Sequence, residues 1–180
     1  GVITYGIPPS PSLCMGVCGE QWKDNVYELN RLAMVDEHDK DLGSYFVANS
    51  MKLMPKPSII VSYADTSMGH VGYVYQATNF IYTGLSAQRN EWREIGKNTH
   101  SKSVVEMYSL EERQSNPDRF EHVERPQKHR YIYFLGSKKE VKQLNKDLNY
   151  EVQPYPKGES KKYKNDKEVA QQMTFIVAEE

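Results

Sequence analysis

The segment 58–63 (SIIVSY) constrains the fold more than any other part of the sequence. It is short, rich in β-branched residues and apolar on both faces, which is typical of a strand buried inside a sheet. Residues 26–35 (VYELNRLAMV) are also apolar on both faces and predict a second internal strand. Between the two, the helical spacing of apolar side chains over 42–54 predicts a helix that ends before Pro55. A strand, a helix and a strand in this order predict a right-handed parallel crossover.

The rest of the chain adds further strands and helices to this unit. Strands are predicted over 1–6, 104–109 and 131–135, and helices over 70–82 and 137–148. The second of these helices starts with a capping box formed by Ser137 and Glu140, and Gly84 is suited to end the first. Three prolines predict an ordered loop over 7–12. We therefore expect an α/β (α+β) fold, with a mixed central sheet flanked by helices.

Charge is distributed unevenly along the chain. The formal net charge is −1, yet residues 125–167 contain 12 Lys or Arg and only 5 Asp or Glu. A basic segment beside an acidic body suits an anionic polymer as partner, although lysine-rich exposed helices and tails are also common without one. Beyond Asn149 no clear hydrophobic period remains, so we divide the chain into a globular domain over 1–149 and a basic extension over 150–180.

The cysteines, the apolar content and the first residues bear on where the protein works. Cys14 and Cys18 have no second Cys/His pair at a matching interval, so we expect reduced thiols rather than half of a zinc site. No apolar run approaches the roughly 18 residues that a membrane-spanning helix needs. Gly1 begins directly in a predicted strand rather than a signal peptide, and we expect an upstream part of the protein to pair with that strand. The low cysteine count favours the cytoplasm.

The first candidate ligand site is the turn that follows the strand over 26–35. Ligands of α/β sheets bind at the carboxyl ends of strands, beside helix N-termini that attract anions. Gly43 permits close approach of a phosphate, Ser44 adds a hydroxyl, and Arg31 would be costly to bury without an anion. Alternatively, Arg31 pairs with a structural carboxylate, and Gly43 and Ser44 only cap the helix. The acidic residues of 36–41 also oppose phosphate binding.

The second candidate site is the turn that follows the strand over 58–63. Asp65 lies just beyond this strand, and Tyr75 follows ten residues later. A carboxylate at this position can accept a proton, or bind a divalent metal together with a nearby His or Tyr. The alternative is that Asp65 caps the next helix and that Tyr75 is a core residue.

Several segments resemble the Mom family, phage DNA-modification proteins related to the GNAT acyltransferase superfamily. The similar segments are ELNRL (28–32), LGSYFV (42–47), IIVSYADTSMGHVGYVYQATNFIYTG (59–84), KHRYIYFLG (128–136) and PYPKG (154–158). This resemblance implies a GNAT-like catalytic domain over 1–149 that lacks its N-terminal strands and helices. It also implies that the protein adds a carbamoylmethyl group to the N6 amine of adenine in double-stranded DNA, which protects phage DNA from restriction in the host cytoplasm.

The resemblance also implies cofactors and residue roles. Acetyl-CoA or a related acyl-CoA and iron are the cofactors implicated in the family. Arg31 and Ser44, with Gly43 beside them, match the acyl-CoA side, whereas Asp65 and Tyr75 match catalytic positions, and both are candidates for a metal. The usual pyrophosphate loop of the superfamily is degenerate here, because Gly43 is the only glycine of its turn. The family's upstream His-Tyr motif, proposed to serve iron, has no counterpart in the 180 residues.

On this reading, lysines of the basic segment hold DNA phosphates while the target adenine is flipped out of the duplex. The residues proposed for this contact are Lys138, Lys139, Lys142, Lys157, Lys161 and Lys162. Two alternatives remain open. One is an ordinary GNAT enzyme that acetylates a small amine or a protein lysine, and the other is a DNA-binding module without catalysis.

Overall fold

A computed structural model describes residues 1–35 and 41–158. The strands are β1 (Val2–Gly6), β2 (Val26–Ala33), β3 (Ser58–Asp65), β4 (Ile81–Leu85), β5 (Arg89–Glu94), β6 (Phe120–Arg125) and β7 (Lys128–Leu135). The helices are α1 (Pro11–Cys18), α2 (Leu42–Met51), α3 (Tyr73–Ala77), α4 (Ser101–Met107), α5 (Leu110–Ser115) and α6 (Lys138–Asp147). Two 3-10 turns cover Glu20–Asn25 and Thr66–Met68. Within these ranges, no helix is long and apolar enough to cross a membrane.

Five strands form a mixed sheet in the order β1-β2-β3-β7-β4. Strands β2 and β3 run parallel, as predicted for a strand-helix-strand unit, and every other neighbouring pair is antiparallel. Strands β5 and β6 form a separate two-stranded antiparallel sheet, with α4 and α5 between them in the chain. The predicted α/β class, with a mixed sheet flanked by helices, is therefore confirmed. Its likeness to the GNAT fold remains a prediction.

The parallel strands β2 and β3 separate before they end. Their pairing runs from Val26 opposite Ile59 to Leu29 opposite Ser62, whereas β2 continues to Ala33 and β3 to Asp65. A gap therefore opens in the middle of the sheet at the carboxyl ends of two neighbouring strands. This is the place where open α/β sheets bind their ligands.

Each face of the sheet has its own hydrophobic core. On one face, α1 and α6 pack against alternate strand residues such as Ile59, Val61 and Ile132. On the other, α2 and α3 pack against Ile60 and further strand residues. The alternation follows from the pleat of a strand, in which successive side chains point to opposite faces. Because both faces are covered, β3 is buried on both sides, which explains why apolar residues dominate its sequence.

The helix predicted over 70–82 is wrong in length. Only Tyr73–Ala77 is helical, and β4 follows from Ile81 to Leu85. Asn79 ends the helix because its φ of 60° is left-handed, and the backbone amide of Phe80 donates to the carbonyl of Tyr75. Gly84 is consequently not a helix cap. It lies at a bulge within β4, with a φ of 79°.

Two other local predictions are also wrong. The segment predicted as a strand over 104–109 lies mostly in helix α4, where Val104 is buried and Val105 is exposed. The loop predicted over 7–12 gives way at Pro11 to helix α1, since proline is well tolerated in the first helical turn. Cys14 and Cys18 lie on this helix as buried free thiols, which confirms that they are not disulfide-bonded.

The described part of the C-terminal segment, 151–158, lies along β4 and α3. The backbone amide of Gln153 donates to the carbonyl of Tyr82, and the hydroxyl of Tyr155 donates to the carbonyl of Phe80. The side chain of Gln76 reaches the carbonyl of Pro156. These residues therefore cover the outer edge of β4. The division of the chain at 149/150 remains a prediction.

Candidate functional site

A cleft of about 600 Å³ opens at the gap between β2 and β3, on the side of helices α2 and α3. We call it the Asp65 cleft. Its walls come from the ends of the two parallel strands, including Arg31 and Asp65, and from 69–75, which carries Tyr75. The structure thus brings together one residue predicted for the acyl-CoA side and both residues predicted for catalysis.

Asp65 is held in place by groups on both sides of its carboxylate. Oδ1 accepts hydrogen bonds from the backbone amide and the hydroxyl of Ser67, at 3.0 and 2.6 Å. Oδ2 lies 3.2 Å from Nζ of Lys128. Partial burial alone would raise the pKa of Asp65, but the hydrogen bonds from Ser67 and the charge of Lys128 outweigh it and lower the pKa. The alternative reading expected Asp65 to cap the next helix, but Gly72 precedes that helix and Asp65 instead caps the Thr66–Met68 turn. Asp65 is also among the residues that line the cleft.

Tyr75 forms an inner wall of the cleft. It is 8% exposed, and its ring packs against Phe80 and Tyr131 with centroids 5.4 and 5.3 Å apart. Burial raises the pKa of Tyr75, offset in part by a hydrogen bond with Ser62. The phenol is therefore protonated at neutral pH and able to donate a hydrogen bond.

The loop between Asp65 and α3 is fixed by a close approach to Tyr131. The hydroxyl of Tyr131 donates to the carbonyl of Val71 and accepts from the amide of Gln76, whose nitrogen is 3.1 Å away. Gly72 lies directly against the ring of Tyr131. A Cβ at Gly72 would lie 2.5 Å from Cε2 of that ring, and the φ of Gly72 is 75°. Glycine is therefore required here for both space and backbone conformation.

A second cleft, of about 420 Å³, opens on the other face of the sheet, beside α1. We call it the arginine cleft, because Arg89, Arg125 and Arg130 line it together with Lys128. It shares Leu29, Asn30 and Tyr63 with the Asp65 cleft, so the two clefts adjoin at the gap between β2 and β3. The sequence predictions missed this site, although the clustering of cations over 125–130 was a usable signal.

Comparison with known proteins places the chain in a family. The model of the Mom protein family matches residues 1–157. The chain belongs to the Mom family. Methylcarbamoylase Mom of Escherichia phage Mu is 31% identical over 167 residues, which cover 87% of this chain and 67% of the phage Mu protein. The matched region includes every strand and helix described above.

Only one of the three residues predicted to bind acyl-CoA in this Mom-family chain lines the Asp65 cleft. Arg31 is exposed in β2 and lines the Asp65 cleft, so the predicted cost of burying its charge does not arise. Gly43 and Ser44, in the first turn of α2, do not belong to the cleft wall. The hydroxyl of Ser44 donates to the carbonyl of Asp41. Gly43 packs against Val74, which does line the cleft. A Cβ added to Gly43 would be 3.8 Å from Cγ2 of Val74.

The residues present do not fit a metal centre. Across 1–35 and 41–158, no three His, Cys, Asp or Glu side chains converge in a way that could hold an ion. Both carboxylate oxygens of Asp65 already have partners, one of them the cationic Lys128. Tyr75 has a raised pKa, which disfavours the phenolate that a metal ligand requires. We therefore derive no step through iron.

Three of the lysines predicted to bind DNA lie on α6, and none of these three lines either cleft. In the pairing of β3 with β7, Asp65 lies opposite Lys128 at one end and Ser58 lies opposite Leu135 at the other. Lys138 and Lys139 follow Leu135, so they lie near the far end of β3, about 23 Å from Asp65 at ~3.3 Å per strand residue. Lys142 and Lys157 are exposed on α6 and on the C-terminal segment. Lys161 and Lys162 lie outside the described residues.

Proposed function

We propose that this Mom-family chain is an enzyme that adds a carbamoylmethyl group to the N6 amine of adenine in double-stranded phage DNA. One observation carries this proposal: Arg31, Asp65 and Tyr75, three residues that the family resemblance links to the reaction, line one cleft at the carboxyl ends of two parallel strands. The name of the phage Mu relative, methylcarbamoylase, supports this choice of the transferred group. The modified DNA would resist restriction in the cytoplasm of the bacterial host.

The target adenine leaves the duplex before it reacts, since its amino group otherwise takes part in base pairing. In the bond-forming step, N6 bonds to the methylene carbon of the carbamoylmethyl group, the bond from that carbon to its leaving group breaks with the electron pair going to the leaving group, and N6 releases one proton. Asp65 is the candidate acceptor of this proton because its lowered pKa keeps it ionised and it is among the residues that line the cleft. Its lowered pKa makes it a weak base, so we assign it proton relay and orientation of the amine.

Tyr75 complements Asp65 as a neutral hydrogen-bond donor. Its buried ring fixes the direction of the hydroxyl, and its raised pKa keeps the proton in place. A donor held rigidly at the cleft wall can stabilise negative charge on a carbonyl oxygen of the group being transferred, at no cost in reorganisation. Tyr75 thus orients and activates the transferred group.

The donor site is proposed on the Arg31 side of the Asp65 cleft. Acetyl-CoA, if bound, would supply the two carbons of the carbamoylmethyl group, whereas the amide nitrogen and the two-electron oxidation of the methyl carbon would come from a separate amine donor and oxidant. Its anionic phosphates fit the fixed positive charge of Arg31 and the N-terminal turn of α2, where Gly43 lies behind the cleft wall. Ser44 would contribute its backbone amide there, because its hydroxyl already donates within the turn.

The proposal is tested by mass spectrometry of nucleosides from DNA of cells that express the chain. We expect a modified adenine nucleoside with the wild type and none with Asp65→Asn or Tyr75→Phe. Tyr45→Phe serves as the matched control, since this tyrosine of α2 is 66% exposed and does not line the cleft. Unmodified DNA from cells containing folded wild-type protein would contradict the proposal.

The same variants separate the alternatives. An Asp65→Asn chain that binds DNA normally but no longer modifies it identifies an enzyme rather than a binding module. Turnover of acetyl-CoA with small amines or protein lysines in the absence of DNA would instead indicate an ordinary acetyltransferase.

A further inference from the structure

We propose that the arginine cleft, rather than the lysines of α6, binds the DNA phosphates next to the modified base. This inference rests on the proposed function, because it names how the DNA substrate is held. The cleft lies on the face of the sheet opposite the Asp65 cleft, and nothing in the family comparison assigns it a role.

The first argument is charge. Four cationic side chains line the cleft, and the single acidic residue among its lining is Glu28. Burial raises the pKa of Glu28, offset in part by Lys128, so this carboxylate is a poor counterion for the arginines. The site therefore carries a net positive charge that an anionic ligand would neutralise.

The second argument is the register of the antiparallel pair formed by β5 and β6. Arg89 and Arg125 are directly opposite each other across the two strands. Like charges that are directly opposite each other destabilise an antiparallel strand pair unless an anion lies between them. Glu91 offers weak relief, since its Oε2 is 3.8 Å from Nε of Arg125 while its Oε1 lies 2.6 Å from Nη2 of Arg93. Two successive phosphates of one DNA strand, one bound by each guanidinium group, would remove the repulsion.

The third argument is preorganisation on β7. Arg130 donates through Nε to the hydroxyl and through Nη2 to the carbonyl of Thr83, at 2.9 and 3.0 Å. Its guanidinium also lies 3.5 Å from the ring centroid of Tyr150. These contacts fix the plane of the group, and a guanidinium has five N–H donors, so several are left for a ligand. A donor that is already fixed loses little entropy on binding.

The cations form a row, which favours a polymer over a single small anion. Lys128 and Arg130 are two residues apart on β7, which is about 6.6 Å at ~3.3 Å per strand residue. Arg89 and Arg125, the pair on β5 and β6, extend this row. Such a row can contact successive phosphates of one strand.

The location connects this row to the chemistry. Both clefts contain Leu29, Asn30 and Tyr63, so a base extruded from DNA held in the arginine cleft faces the gap that leads to Asp65. Lys128 joins the two sites directly, because it lines the arginine cleft and pairs with Asp65. The amino end of α6 lies about 23 Å from Asp65, which is the length of β3 at ~3.3 Å per strand residue. This distance is too long for the lysines of α6 to hold the phosphates that flank the extruded base.

The test is the salt dependence of DNA binding by the full 180-residue chain. Each phosphate contact contributes about 0.9 to the slope of log affinity against log salt. We expect Arg89→Gln/Arg125→Gln to lower the slope by about 1.8, which corresponds to about 60-fold weaker binding at 0.1 M salt. Lys23→Gln/Lys52→Gln is the matched control, because both lysines are exposed and outside the cleft. Arg89→Lys/Arg125→Lys should restore most of the slope.

The result that overturns the inference is a slope for Arg89→Gln/Arg125→Gln equal to that of the control, or a loss confined to Lys138→Gln/Lys139→Gln. Circular dichroism checks the fold, and the single variant Arg89→Gln, with an expected loss of about 0.9 in slope, replaces the double variant if that one does not fold. If the wild type modifies adenine but the double variant binds like the control, only this inference fails. If the wild type leaves adenine unmodified and the arginines still set the slope, only the proposed function fails.

Discussion

Replacing Gly72 by alanine should destabilise the chain through two separate effects. A residue with a Cβ pays about 1–2 kcal/mol for a left-handed backbone, and the φ of Gly72 is 75°. The new Cβ would also lie 2.5 Å from the ring of Tyr131, a contact that is relieved only by shifting a packed group, at about 1–3 kcal/mol. The middle of the combined range is about 3.5 kcal/mol. In a domain of this size it corresponds to a fall in Tm of about 7–14 °C.

Gly69→Ala is the matched control for this prediction. Gly69 has a φ of 66°, yet a Cβ there would meet nothing within 4 Å, so only the backbone effect of about 1–2 kcal/mol applies. Urea denaturation followed by circular dichroism gives the free energy of unfolding of both variants and the wild type. If Gly72→Ala is no more destabilising than Gly69→Ala, the close approach to Tyr131 is refuted, and with it our account of how the wall of the Asp65 cleft is fixed.

Two further predictions concern titrating groups. The pKa of Asp65 is lower in the folded chain than the usual 3.8, so its contribution to stability is present above about pH 3.8 and is lost as the pH falls through the folded value. The difference in unfolding free energy between the wild type and Asp65→Asn should shrink below that pH in urea titrations, and a difference independent of pH would refute the assignment. Burial raises the pKa of Cys14, and that of Cys18 to about 12, so neither thiol should react with Ellman's reagent in the native chain. Both should react after denaturation, whereas rapid reaction of the native chain would show that α1 is not packed as described.

The sequence predicted the segments whose period and end signals agree. Strand β3 is apolar on both faces, and α6 has a capping box in which Ser137 and Glu140 each accept from the other's backbone amide. It failed where two periods overlap. Over 70–84, alternating aromatic and β-branched residues fit a helix as well as a strand, and the decisive residue is Asn79, whose left-handed backbone no spacing rule reveals.

Charged strands were missed for a different reason. Strands β5 and β6 (RNEWRE and FEHVER) lack the apolar alternation that marks a half-buried strand. They depend on tertiary contacts instead: Glu94 is 4% exposed and pairs with Lys97 and Arg119 at 2.8 and 2.9 Å. Such pairing cannot be read from one sequence.

The candidate site could be predicted as far as strand ends determine it. Asp65 ends β3 and Arg31 lies near the end of the parallel β2, so the rule that ligands bind at the carboxyl ends of strands brings them together. The same rule says nothing about the opposite face. The arginine cleft is formed by residues of β5, β6 and β7 and by Tyr150. These residues are up to about 60 positions apart in the sequence and meet only in the folded chain.

The C-terminal segment has a consequence for how this protein can be shortened. Residues 151–158 lie along β4, the last strand of the sheet, where Gln153 occupies a carbonyl that would otherwise be exposed. A chain cut at 149, the boundary predicted from composition, would lose this cover and present a bare strand edge. Exposed edges recruit strands from other molecules, so the shortened protein should aggregate even if its core is intact. Residues that resemble a dispensable tail thus cover that edge of the sheet against other strands.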